Sequence, residues 1–167
     1  PEIAELVSTV SNQNFQVSSD WKEVLSDTEV SFIVVPTPSD ESGMFTNRHL
    51  VQALQEIGKA VNCLAPSHAV CVVSTVMPGS CDTELFDTLL NEISTMESRV
   101  NISLTYSPEF IALGSIVKNM RYPDLVLLGE REAWAGDLVL SAIESICLNK
   151  PYIQRAMKQL FSVVLDQ

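Results

Sequence analysis

Three apolar runs in this chain, residues 30–35, 69–73 and 102–106, stop abruptly at prolines or small polar residues, and helical stripes follow the first two. None of them turns through a two-residue hairpin into the next. Runs of four to six apolar residues with few polar interruptions suit strands covered on both faces. Strands joined through helices must cross over rather than fold back, so the chain is expected to build a mostly parallel sheet with helices on both sides.

The rest of the pattern fits that frame. Ile3, Leu6, Val7 and Val10 repeat at helical spacing, and residues 15–17 are a short strand candidate. Asp20 caps a brief helix with Glu23 in a capping-box position, and Trp21, Val24 and Leu25 are expected to face inward. Leu50, Leu54, Ile57 and Val61 form one stripe of a second helix, and Leu85, Phe86, Leu89, Leu90 and Ile93 the core face of a third. A fourth strand is read at residues 125–128, a long helix at 130–147 and a last short strand at 152–153. The expected architecture is therefore α/β and doubly wound. The tail at residues 156–167 reads either as the beginning of a linker helix or as a foreign end.

With 46% hydrophobic and only 19% charged residues in 167, one domain with a sizeable core is expected. The net charge of −11 argues against a phosphate-backbone partner, which would need a basic stripe. No apolar stretch reaches the roughly 18–20 residues that cross a bilayer. No signal peptide is evident after Pro1, and the missing initiator Met hints at truncation. Cys63, Cys71, Cys81 and Cys147 lack metal-ligand spacing and read as buried free thiols of a reducing compartment, hence a cytoplasmic protein. His49 and His68 read as surface residues, and no metal site is expected.

The chemistry-bearing segments all follow strands. Val35-Pro36-Thr37-Pro38 is by itself a rigid turn, or else a turn that holds backbone amides and the Thr37 hydroxyl beside a ligand. In Ser74-Thr75-Val76-Met77-Pro78-Gly79, two hydroxyls end a strand at the edge where open α/β sheets bind ligands, ahead of a helix N-terminus suited to an anion. Glu109 in Ser107-Pro108-Glu109-Phe110 reads either as an exposed helix-starting acid or as a base held beside apolar walls. Tyr122-Pro123-Asp124 alone is a turn signal.

In their order and spacing, these segments resemble the UDP-glucose/GDP-mannose dehydrogenase family over residues 1–155. The resemblance implies the latter part of a Rossmann-like NAD-binding domain that lacks its first strand–helix–strand. It implies NAD as cofactor and oxidation of a nucleotide sugar at C6 to the uronic acid, as part of a larger enzyme that is a homo-oligomer at full length. In that family a cysteine-bound thioester is hydrolysed. By position, Val35, Pro36, Thr37, Ser74 and Thr75 match residues along the cofactor, and Thr75 also one that orders a water. Glu109 matches the glutamate of thioester hydrolysis, and with Phe110 and Ile111 it matches the segment against the sugar nucleotide. Leu113 departs from a residue that many members carry as an acid or proline. The glycine fingerprint for pyrophosphate and the catalytic-cysteine segment are not in this sequence. The alternative is a non-catalytic truncated relative that binds a nucleotide or a partner.

Overall fold

A computed structural model describes residues 4, 5, 7, 8, 15–110 and 114–157. Residues 4, 5, 7 and 8 are helical, and the remaining positions of the expected first stripe lie outside the described residues. The ordered elements then alternate: α1 (Trp21–Leu25), β1 (Val30–Ile33), α2 (Arg48–Lys59) with a 3-10 turn at Val61–Cys63, β2 (Ser67–Val72), α3 (Glu84–Ser94), β3 (Asn101–Tyr106), α4 (Ile116–Arg121), β4 (Leu125–Glu130), α5 (Ala133–Ile146) and β5 (Tyr152–Met157). Residues 158–167 lie outside the described residues, as does Ile111.

The five strands lie in one sheet in the order β1-β2-β3-β4-β5. β1, β2 and β3 are mutually parallel, and so are β4 and β5. β3 and β4 meet antiparallel, through the pairs Thr105↔Glu130 and Tyr106↔Gly129 alone. The sheet is thus mostly parallel, and β1, β2 and β3 all deliver their C-terminal ends to one edge.

Side-chain alternation along β2 divides the core into two. Val70 and Val72 face Leu50, Leu54 and Ile57 of α2 and Leu85 and Leu89 of α3, together with Leu104 and Tyr106 of β3. Ala69 and Cys71 face the other way, against Val126 and Leu128 and against Ala135, Val139 and Leu140 of α5. Helices therefore cover both faces, and β2 is buried from His68 through Val72. Burying a Leu or Val side chain contributes about 1.5–3 kcal/mol, so these two layers supply most of the driving force.

Several sequence expectations are corrected at the margins. β1 is an edge strand with Phe32 44% exposed, so one of its faces is open where the apolar run suggested cover on both. α1 buries only Leu25, while Trp21 and Val24 stay outside. Asp20 does cap it, accepting hydrogen bonds from the amides of Lys22 (2.9 Å) and Glu23 (3.4 Å). Residues 15–17 form no strand. β4 runs two residues further than its apolar stretch, through Gly129 to Glu130. Of the four free cysteines, Cys71 is fully buried and the others are half-buried.

His68 is also corrected, from the surface to complete burial. The carbonyl of Thr28 accepts from Nδ1 at 2.6 Å, so Nε2 is left as an acceptor for the Ser31 hydroxyl at 2.9 Å. This neutral ring ties the start of β2 to β1, and burial holds its pKa below the ordinary 6.5. A depressed folded-state pKa means that the unfolded chain takes up the proton first, so stability is kept above pH 6.5 and lost as pH falls below it. Urea midpoints measured between pH 7.5 and 5.5 should fall in the wild type and fall less in His68→Asn. Parallel slopes would show that His68 does not set the dependence.

The far side of the sheet carries a buried carboxylate. Glu130 ends β4 at 6% exposure and is gripped by Arg155 of β5 through Nε (3.0 Å) and Nη2 (2.6 Å). Arg155 Nη1 also meets Asp137 at 2.7 Å. Gly136 of α5 lies so close that an added Cβ would stand 1.6 Å from Glu130 Oε2.

Candidate functional site

The β1 and β2 backbones stay paired up to Ile33↔Val72, and the Val73 amide donates to the Ile33 carbonyl at 3.1 Å. Beyond that point the two main chains no longer bond directly to each other. The gap is spanned by one side chain. The Val35 amide donates to Ser74 Oγ at 2.8 Å, and Ser74 Oγ donates to the Val35 carbonyl at 2.7 Å. Thr37 is half-buried, and Thr75 is exposed and hydrogen-bonded to none of the described residues. Val35, Pro36, Thr37, Ser74 and Thr75 are therefore brought together at one edge of the sheet, as their strand-end positions led one to expect.

The loop beyond Pro38 folds on itself. Ser39 and Phe45 form an isolated bridge, and the Thr46 amide donates to the Pro38 carbonyl at 2.9 Å. Asp40 organises the bend, accepting from the Ser42 hydroxyl, the Ser42 amide and the Met44 amide. These bonds, the Ser42 hydroxyl foremost, hold its carboxyl below the ordinary range. Its bonding thus assigns Asp40 to loop structure.

Met77-Pro78-Gly79-Ser80 makes a tight turn with Gly79 at φ +84° and the Ser80 amide donating to the Met77 carbonyl at 3.1 Å. The proline and the left-handed glycine are what such a turn demands. α3 starts only at Glu84, and Glu84 and Asp87 occupy its first turn. Asn47 Nδ2 bridges Glu84 Oε2 (2.6 Å) and Ser80 Oγ (3.0 Å). The positive end of this helix is therefore already met by acidic side chains, and it does not offer the free anion site that the sequence suggested.

Past β3, the amide of buried Ser107 donates to the Val72 carbonyl at 2.9 Å, which extends the β2–β3 pairing by one residue. Pro108 and Glu109 then enter a cleft of about 300 Å³, bounded by Phe110, by Asn119 and Met120 of α4, by Tyr122-Pro123-Asp124, and by Ile143 and Ile146 of α5. The opening leaves Glu109 reachable by solvent, yet burial against these walls raises its carboxyl pKa above the ordinary value. Burial is the only cause of that shift, as expected of an acid beside apolar side chains. Thr37, Ser74 and Thr75 do not line this cleft.

Sequence reasoning singled out Glu109 and Phe110 but not Asn119 or Met120, whose short helix has no buried residue to betray it. None of the four cysteines lines the cleft. Burial pushes the Cys71 and Cys81 thiols up to about 12 and raises Cys147 as well, so these thiols stay protonated at neutral pH. Among the described residues no three His, Cys, Asp or Glu side chains cluster to hold a metal, and no helix is long and apolar enough to cross a membrane.

The residues at the β1–β2 edge suit the uncharged part of a dinucleotide. Two unengaged hydroxyls and a proline-fixed backbone can meet ribose or amide groups. The glycine turn that would receive a pyrophosphate is not in this sequence.

Comparison with known proteins places these features in a family. Residues 1–146 match the NAD binding domain of the UDP-glucose/GDP-mannose dehydrogenase family. GDP-mannose 6-dehydrogenase of Pseudomonas aeruginosa is 28% identical over 141 residues, which are 84% of this chain and 32% of that protein. A UDP-glucose 6-dehydrogenase of Haloferax volcanii is 28% identical over 129 residues, 77% of this chain and 30% of that protein. Among solved structures, a ternary complex of GDP-mannose dehydrogenase from Pseudomonas aeruginosa superposes with a TM-score of 0.81 at 27% identity, covering 96% of this chain and 36% of that one. The chain thus spans about a third of the length of the relatives it matches.

Proposed function

The chain belongs to the UDP-glucose/GDP-mannose dehydrogenase family, and on that premise we propose that it serves NAD-dependent oxidation of a nucleotide sugar at C6, within a larger cytoplasmic, oligomeric enzyme. Glu109 carries this reading. It is a carboxylate with a raised pKa, beside Phe110 and at the mouth of a cleft that follows a strand end. An acid so placed receives the proton of a water that attacks a thioester, and the nucleotide sugar lies along Phe110 and Ile111. Val35, Pro36, Thr37 and Thr75 line the cofactor. Bound NAD supplies the hydride acceptor, and the residues of this chain hold and orient it. Cys71 and Cys81 do not serve as the nucleophilic cysteine, since burial keeps both thiols protonated.

Titration of the isotopically labelled 167-residue chain tests this reading. NAD should shift the amides of Thr37 and Thr75. GDP-mannose or UDP-glucose should shift those of Glu109 and Phe110, and the sugar that acts at the lower concentration names the substrate class. Shifts scattered elsewhere, or none for either ligand, would remove the reading. The chain alone should form no NADH from either sugar, and NADH formation would show that it completes the first oxidation, of alcohol to aldehyde, by itself.

A further inference from the structure

We propose that Ser74 is a positioning residue, which sets the shape of the cofactor crevice without touching the cofactor; this rests on the reading that NAD lies along residues 35–37 and Thr75. A hydroxyl has one proton to donate. Ser74 commits its proton to the Val35 carbonyl at 2.7 Å and uses an oxygen lone pair for the Val35 amide at 2.8 Å, across 39 residues of sequence. At 9% exposure it has little surface to offer a ligand.

The pair of bonds reproduces what a parallel ladder would do at this position. Val73 still pairs backbone to backbone with Ile33, and at the next step the Ser74 side chain takes over for its own main chain. Substituting a side chain for a strand lets β1 and β2 separate by the reach of a hydroxymethyl group while their relative position stays fixed. The two strand ends are thereby held a side chain's length apart, with Val35 tied to Ser74. Alternate residues of β1 face β2, so after Ile33 and Val35 the next position that could meet it is Thr37, whose place the Val35 contact sets.

Thr75, one residue on, is exposed and makes no hydrogen bond with the described residues. The two adjacent hydroxyls therefore divide the work. Ser74 fixes where Thr37 stands, and Thr75 is left to meet the ligand.

Amide hydrogen exchange and NAD titration of the 167-residue chain test this division in Ser74→Ala, Ser74→Thr and Thr75→Ala. In Ser74→Ala, exchange at Val35 should accelerate about tenfold, the effect of losing a hydrogen bond in a local opening, while Val70 and Val72 keep their protection. NAD affinity should fall with it, and Ser74→Thr should restore both. Thr75→Ala should weaken NAD binding and leave Val35 exchange unchanged. If Ser74→Ala weakens NAD binding with Val35 exchange unaltered, Ser74 touches the cofactor and the proposal is overturned. Unchanged exchange and unchanged affinity overturn it as well. A wild-type chain that binds no NAD counts against the functional reading above, and Val35 exchange, which needs no ligand, then decides for or against the loop-holding role.

Discussion

Gly136→Ala should destabilise the fold by about 1–3 kcal/mol, the usual cost of an extra methyl in a filled site. The direction alone is informative. Gly136 lies inside α5 with an ordinary helical backbone, and at an open helical position the same change would stabilise by roughly 1 kcal/mol. Here the new methyl would stand 1.6 Å from Glu130 Oε2 and 2.9 Å from Arg155 Nη2. The carboxylate must swing aside, with Arg155 following or letting go, or α5 must lift away from β4. Glu130 is 6% exposed, so a displaced carboxylate finds no water and its desolvation goes uncompensated. A loss of this size is a large part of the roughly 5–15 kcal/mol that holds a domain folded. Urea denaturation of Gly136→Ala against wild type measures it. In the Glu130→Ala background the same substitution should cost much less, because the atom that the methyl strikes is gone. A single variant as stable as wild type would mean that Glu130 is not held where the structure puts it.

That cluster also shows where reading the sequence stops. Periodicity disclosed α2 through Leu50, Leu54 and Ile57, and α3 through Leu85 and Leu89, because each is buried in one continuous layer. It disclosed β2 and β3 because apolar runs with few interruptions mark covered strands. Direction is a different matter. Nothing in Leu125-Val126-Leu127-Leu128 tells whether the strand runs with β3 or against it, and only two residue pairs join them. Trp21 and Val24 carried an inward signal by residue type, yet α1 buries only Leu25. His68 and Glu130 are buried polar groups whose partners lie on other elements, Thr28 and Ser31 for one and Arg155 for the other. Local pattern is silent about such pairs. The same division holds at the site. Prolines and small residues after β1, β2 and β3 marked the strand ends on which the proposed site is built. That Ser74 spends its hydroxyl on Val35, 39 positions earlier, became visible only in the folded chain.

Glu109→Gln should separate acyl formation from acyl release. The test uses a chimera in which this chain replaces the matching third of Pseudomonas aeruginosa GDP-mannose 6-dehydrogenase, whose other segments complete the enzyme. If Glu109 takes the proton of the hydrolytic water, Gln keeps the shape and hydrogen-bonding reach of the side chain but removes the base. Steady-state turnover should then fall by about 10²–10⁴, the usual worth of a positioned acid or base. NAD affinity should be unchanged, since Glu109 lies in the cleft with Phe110 and away from Thr37 and Thr75. A burst of NADH should precede the slow phase, and intact-mass spectrometry should show the enzyme carrying a covalent sugar-nucleotide adduct. The pH profile adds an independent arm. Burial raises the Glu109 pKa above its ordinary 4.5, and the base works only when ionised, so turnover should climb with pH along a limb lying above that value and vanish from the Gln variant. Stability should move the other way. A carboxyl whose folded-state pKa is raised loses its contribution as pH rises through that pKa, so at neutral pH the Gln variant should be no less stable than wild type. Full turnover with no adduct would remove Glu109 from the hydrolytic step, and loss of activity together with loss of folding would assign it a structural role instead.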